Sequence, residues 1–166
     1  QGCDLLLKYC KVKPAKRGDI VISSNGGYPL DQNIYQSVKG LTAAEAAAAP
    51  GAVLIMVSAC HDGHGGESFY HALRDCVSPQ KLMEQILATP QDQTKPDQWE
   101  FQILCRVLCK HHVIYVTEPA QRKTIEEMKM AWAPDVDTAL QEARRIKGEN
   151  AHLVVIPNGI SVMVQE

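Results

Sequence analysis

Ala52-Val53-Leu54-Ile55-Met56-Val57-Ser58 decides the fold. Val53 to Val57 is apolar throughout, with no polar residue alternating. A strand with one wet face alternates; a strand covered on both faces does not, and such strands belong to parallel sheets. Asp19-Ile20-Val21-Ile22-Ser23 reads the same way, between Gly18 and Asn25-Gly26-Gly27. So do His112 to Thr117 and His152 to Ile156, the latter stopped by Pro157-Asn158-Gly159.

Helical segments lie between these runs. They are expected from about Leu30 to Ala47 (ended by Pro50-Gly51), over Glu67–Cys76, Pro79–Leu87 and Pro96–Lys110, near Arg122–Met128, and over Val136–Lys147. Gln1 to Tyr9 reads as a helix already under way, and Ile160 to Val164 as an edge strand or a frayed end. Strands that alternate with helices build an α/β layer structure. The expected fold is therefore α/β, Rossmann-like and doubly wound. It has a mainly parallel sheet of about four core strands, with helices on both faces.

With 166 residues, the chain is read as a single α/β domain over 1–166. It opens without Met and in mid-helix, so it is expected to be a piece of a larger protein. Hydrophobic residues make up 45% and charged residues 22%, which excludes long disorder. Aromatics are only 5%, so the core must be aliphatic. The 17 basic and 19 acidic residues leave a net charge of −2 without like-charge blocks. That balance argues against nucleic-acid and membrane partners. No apolar run approaches the roughly 18 residues of a membrane span. Cys60, Cys105 and Cys109 fall in apolar patterns, with Cys3, Cys10 and Cys76 completing six. Reduced thiols used as small hydrophobes imply a cytoplasmic protein.

Ligands of such sheets bind beyond the carboxyl ends of the strands. The loops there are Ser24–Pro29, Ala59–Gly66 and Thr117–Gln121. In the first, Gly26 and Gly27 allow positive φ or close approach to a ligand. Pro29 and Asp31 suit a first helical turn. The loop is neither a dinucleotide fingerprint nor a P-loop. On the helix that follows, Ile34, Val38 and Leu41 make the buried stripe. Gln36 and Lys39, three apart, share another face bordered by Tyr35. That face is either solvated or a seat for a small carboxylate, which Lys meets by charge and Gln by hydrogen bonding.

Cys60, His61, His64 and His71 are close in sequence but form no metal-ligand spacing, so no metal site is assigned. His111 and His112 are read as solvent-exposed at a helix end, where a protonated His suits the dipole. Trp132 is read as packing a loop onto the sheet. Cys10 lacks a setting, beyond Lys8 and Lys11, that would activate it.

Asn25-Gly26-Gly27-Tyr28-Pro29-Leu30-Asp31, followed by Tyr35-Gln36-Ser37-Val38-Lys39-Gly40, resembles the C-terminal domain of the lactate racemase family. Three further stretches fit in the same order. They are Pro50 to Ile55, the Asp62-Gly63-His64-Gly65 loop, and Asp97-Gln98-Trp99-Glu100 ahead of the Val113 to Thr117 strand. The resemblance is specific from Gly18 to Gly40, fair through Thr117 and thin after Gln121.

The resemblance implies an isomerase that racemises or epimerises 2-hydroxy acids through a nickel-pincer nucleotide. That cofactor is the nickel complex of pyridinium-3,5-bisthiocarboxylic acid mononucleotide. A His takes the hydroxyl proton, and the C2 hydride moves to the cofactor and returns on either face. The cofactor-tethering Lys and the metal-binding and acid–base His residues belong to an N-terminal domain absent from this chain. The chain is then a substrate-capping C-terminal domain, inactive alone and without catalytic residues or cofactor of its own. Gln36 and Lys39 orient the substrate carboxylate, and Tyr35 and Trp99 wall the pocket. From their backbone freedom, and not from the resemblance, Gly26 and Gly27 are expected to meet the cofactor or the other domain closely. The substrate could be lactate, malate, a larger hydroxy acid or a sugar acid. The rival from another class is a non-catalytic Rossmann-like module that binds a nucleotide or carboxylate. A hydrolase or transferase is disfavoured, because no Gly-x-Ser-x-Gly elbow is present.

Overall fold

A computed structural model describes residues 2–165. Five parallel strands form the main sheet: β2 (Gly18–Ser24), β3 (Ala48–Val57), β4 (His112–Val116), β5 (Ala131–Ala133) and β6 (Leu153–Ile156). Their spatial order is β5-β4-β3-β2-β6. The doubly wound α/β expectation holds, with β5 added. At three residues, Ala-Trp-Ala, β5 is too short to leave a pattern in sequence. Trp132 therefore sits in an edge strand; its indole N–H donates to the Thr117 carbonyl at 3.0 Å and Arg122 lies over its ring.

The connections are α2 (Ile34–Ala47), α3 (Glu67–Asp75), α4 (Pro79–Ala88), α5 (Gln98–Lys110), α6 (Arg122–Glu127) and α7 (Val136–Lys147). Successive strand residues point to opposite faces of the sheet. Val21, Leu54, Met56, Val113 and Tyr115 bury the face carrying α2 to α6. Ile20, Val53, Ile55, Ile114 and Val116 bury the face covered by Ala139 and Ala143 of α7. Each such aliphatic side chain removed from water contributes about 1.5–3 kcal/mol. A second, two-stranded parallel sheet pairs β1 (Lys11–Val12) with β7 (Met163–Val164), so the final segment is paired. The first helix, α1 (Gly2–Cys10), buries no residue and exposes Leu5, Leu6 and Tyr9. Gln1, which belongs to the expected first helix, lies outside the described residues.

Local chemistry sets the helix ends. Ser78 caps α4, with Pro79 at its first position, and Asp135 caps α7 through the Thr138 N–H at 2.7 Å. Helix α2 starts at Ile34, one turn later than expected, because Asn33 is its N-cap. Asp31 thus precedes the helix. Its carboxylate accepts from the Ala59 N–H at 3.2 Å and its carbonyl from the Cys60 N–H at 2.9 Å. Helix α5 starts at Gln98 because Asp97 is left-handed, with φ of 61°. His111 ends α5 with its Nδ1 buried and unpartnered, and burial pushes its pKa down. That shift runs against the expectation of a protonated His111 at this helix end, while His112 beside it is exposed as expected.

The close approach of α2 to the sheet depends on Gly40. A Cβ there would lie 2.4 Å from Asn25 Oδ1 and 2.8 Å from Met56 Cε. Gly40→Ala should therefore destabilise the fold by about 1–3 kcal/mol, despite about 1 kcal/mol of gained helix propensity. A urea midpoint at or above the wild-type value would contradict this account.

Candidate functional site

The start of α2 carries the site, and its backbone is spoken for. The first N–H groups of a helix have no partner within it. Here Ile34 N–H donates to the Gly63 carbonyl at 3.0 Å and Tyr35 N–H to the His64 carbonyl at 3.1 Å. The Gln36 N–H donates to Asn33 Oδ1 at 2.9 Å. The glycine-dense second loop is thus a cap for α2. Buried Asn25 adds a second tie, donating from Nδ2 to the Leu30 carbonyl and, at 2.8 Å, to the Gln36 carbonyl.

On this fixed turn, Tyr35, Gln36 and Lys39 are neighbours. The Lys39 ammonium donates to Gln36 Oε1 at 2.5 Å. One N–H of Lys39 and the acceptor of Gln36 are used by that bond. The other ammonium N–H groups and the Gln36 amide N–H groups remain as donors toward an oxyanion. Tyr35 meets Trp99 edge-on at a 5.7 Å centroid distance and Phe69 at 5.3 Å. Its hydroxyl donates to Asp97 Oδ1 at 3.4 Å. Burial, with Asp97 and Glu100 nearby, raises the Tyr35 pKa, so the phenol stays protonated. All four residues expected at the substrate lie in one cluster. Trp99 is 55% exposed, and Tyr28 and Leu30 on the first loop are exposed as well.

Gly26 and Gly27 both have positive φ, at 78° and 100°. They differ in surroundings. A Cβ on Gly26 would meet the Asn158 side chain at 2.8 Å, whereas one on Gly27 would meet nothing within 4 Å. The crevice between β2 and β6, where helices on opposite faces diverge, is filled. Gly159 N–H donates to the Ser24 carbonyl at 2.7 Å, and Ser24 Oγ donates to the Pro157 carbonyl. This crevice is where Rossmann-like sheets seat nucleotides. With it filled and the α2 N-terminus saturated by carbonyls, the geometry disfavours a nucleotide-binding module.

The histidines of the second loop are dispersed. His61 pairs with Glu118 at 3.3 Å; His64 stacks on Tyr70 with centroids 4.7 Å apart. His71 sits on α3 between Glu67 and Asp75. Cys60 is buried and donates to Ser58 Oγ at 3.2 Å. Among the described residues, no three His, Cys, Asp or Glu side chains are grouped to hold a metal. The donor set at the site, an amide, an ammonium and a phenol, is not one for nickel. This chain's residues therefore do not fit as the holder of a nickel-pincer nucleotide; of the two first-loop glycines, Gly27 is the one whose backbone lies beside open space.

Two acidic residues escaped the sequence reading. Both were visible only as part of the Asp97-Gln98-Trp99-Glu100 motif, with no role of their own; Asp97, left-handed at the start of α5, meets Tyr35. Glu100 shares a stripe with Leu104 and Val107, at helical spacing, and that pattern alone would have placed it in the core. It is 1% exposed, and neither carboxylate oxygen has a hydrogen-bond partner. Burial pushes its pKa up to about 7, Lys39 opposing and Asp97 adding to the shift.

The family model for the lactate racemase C-terminal domain matches residues 13–164. A lactate racemase of Thermoanaerobacterium thermosaccharolyticum is 49% identical over 166 residues, 100% of this chain and 39% of that protein. One of Lactiplantibacillus plantarum is 48% identical over 164 residues, 99% of this chain and 38% of that protein. The chain thus spans about two fifths of the length of these relatives. The solved lactate racemase apoprotein from T. thermosaccharolyticum superposes with a TM-score of 0.96 at 49% identity, over 99% of this chain and 39% of that one. A Thermotoga maritima protein shares the fold alone, with a TM-score of 0.55 at 10% identity, over 98% of this chain and 41% of that one.

The Glu100 carboxyl has a stability consequence with a definite sign. Its folded pKa of about 7 lies above the ordinary 4.5. The folded state therefore holds this proton more tightly than the unfolded state. The associated stability is complete below the ordinary value and is lost as pH rises through about 7. Glu100→Gln should raise stability by about 3 kcal/mol at about pH 8 and change it little at about pH 4. Urea unfolding at the two pH values checks this; an equal change at both contradicts it.

Proposed function

Because the chain belongs to the lactate racemase C-terminal domain family, we propose that it is the substrate-capping part of a 2-hydroxy-acid racemase or epimerase. The observation that carries this reading is the cluster of Tyr35, Gln36, Lys39 and Trp99 beyond the carboxyl ends of the strands. The capping part is inactive alone, and the remainder of the longer protein supplies the acid–base groups. All six cysteines are free, which suits a reducing compartment such as the cytoplasm.

Lys39 and Gln36 form the carboxylate clamp. The ammonium neutralises a charge that would otherwise be buried uncompensated when the site closes. The Gln36 amide N–H groups donate to the carboxylate or the adjacent hydroxyl. Both enantiomers share the carboxylate, so one clamp anchors either while the groups at C2 exchange positions. Tyr35 is held by Asp97 and by two flanking rings, so it offers a fixed wall. Trp99, Tyr28 and Leu30 present apolar surface around the clamp. Covered by the remainder of the protein, that surface excludes water from the reacting centre. The nickel-pincer nucleotide supplies hydride transfer when bound elsewhere in the full protein. Its seat is assigned outside this chain.

The test uses the full-length protein loaded with its cofactor and incubated with single enantiomers of several 2-hydroxy acids in D₂O. Inversion without deuterium at C2 is expected. Deuterium at C2 would replace hydride return with proton abstraction from carbon, and failure to invert any acid would remove the racemase reading. Lys39→Ala should raise KM by about 10- to 100-fold, the loss of one charge-assisted hydrogen bond. An unchanged KM would take Lys39 out of the site. The chain alone, assayed under the same conditions, should give no inversion.

A further inference from the structure

Glu100 has a cost and no evident return. Its carboxyl is buried in the first turn of α5, a helix that packs against α2, and neither oxygen has a hydrogen-bond partner. Leaving a carboxylate unpaired in such a place costs several kcal/mol. Leu or Gln would fill the position with less penalty. Its electrostatic neighbours, however, belong to the clamp. Lys39 of α2 attracts it, Asp97 repels it, and Tyr35 responds to both carboxyls. Tyr115 of β4 lies within its influence from below.

The other helices packed on α5 present their charges elsewhere. Glu67, His71 and Asp75 of α3 and Lys81 of α4 line a groove of about 510 Å³ with Gln98 and Phe101. That flank is about 100° around the helix from Glu100. Glu45 of α2 is engaged by Arg106 and Lys110 near the far end of α5.

We propose that Glu100 is a positioning residue that governs whether the Lys39 ammonium is offered to a substrate carboxylate. The proposal rests on the reading of Gln36 and Lys39 as the clamp. An ionised Glu100 draws the ammonium inward and competes for its charge. A protonated Glu100 leaves that charge to the incoming anion. The anion in turn disfavours a second negative charge beside it, so carboxylate binding takes up a proton from solvent onto Glu100. By linkage, the same coupling makes affinity fall as pH rises. Burial places this exchange near neutral pH.

Calorimetric titration of the full-length protein with lactate tests the proposal, in two buffers of different ionisation enthalpy. Wild type should take up a fraction of a proton on binding at about pH 7 and lose about three- to tenfold in affinity between about pH 6 and pH 8.5. Glu100→Gln should bind more tightly than wild type above about pH 7 and reduce both the proton uptake and the pH dependence, any remainder belonging to acid–base groups elsewhere in the protein. Proton uptake and pH dependence unchanged in Glu100→Gln overturn the proposal and leave the clamp intact. Lactate bound no more tightly by wild type than by Lys39→Ala overturns the clamp itself. A measurement that needs no variant is carbon-13 NMR of glutamate-labelled wild type. One carboxyl resonance should titrate near pH 7 and move to higher pKa on adding lactate; a midpoint that ignores lactate counts against the proposal.

Discussion

Everything at the carboxyl end of this sheet hangs on how the first turn of α2 satisfies its backbone. Its leading N–H groups need acceptors, and they are met by the carbonyls of Gly63 and His64 and by the Asn33 side chain. Two loops separated by a whole strand are thereby locked to one helix end. Tyr35, Gln36 and Lys39 inherit their positions from that lock. The glycines of the second loop serve the same end: a Cβ on Gly65 would sit 2.5 Å from the Asn33 side chain that caps the helix. A helix N-terminus that elsewhere receives a phosphate is here consumed in holding the site rigid.

The seam between α2 and the elements around it is unusually polar for so buried a place. Ser37 hydrogen-bonds Tyr115 at 3.1 Å, and Ser23 donates to the Gly40 carbonyl at 3.0 Å. Asn25 is satisfied through its amide nitrogen, while its oxygen and both oxygens of Glu100 are not. Satisfied polar pairs fix geometry; unsatisfied ones store free energy that another interaction can release. Both kinds occur in the elements around α2: Asn25 in the first loop, Ser23 on β2 and Glu100 on α5. The apolar faces of the sheet, by contrast, are conventional aliphatic packing.

The core strands and most helices were legible because each is a long apolar or amphipathic run. The exceptions have physical reasons. Strand β5 is three residues long, and alanine carries little pattern. The start of α2 moved from Leu30 to Ile34 because Asn33 is its N-cap, and the carbonyls that complete the cap, Gly63 and His64, are distant in sequence. The grouping of Tyr35, Gln36 and Lys39 was legible because they lie within five residues on one helix. Asp97 and Glu100 were not, since a left-handed turn and a packing partner on α2 decide where they go. His111 was misread as favouring protonation because the burial of its Nδ1 arises from the fold around the helix end.

The order β5-β4-β3-β2-β6 also governs how the molecule is made. Strand β2 is the first of the main sheet to be synthesised, and it ends up in the interior. One side finds β3 almost at once. Its other partner, β6, pairs Leu153 with Ile20 and is the last main-sheet strand to appear. At ribosomal speeds of about 5–20 residues per second, that side of β2 waits on the order of ten seconds. During that interval an apolar strand lies at an open sheet edge, the feature that invites pairing with another chain. The edge of β2 is thus covered only on the late arrival of β6, independently of how firmly the finished site is held.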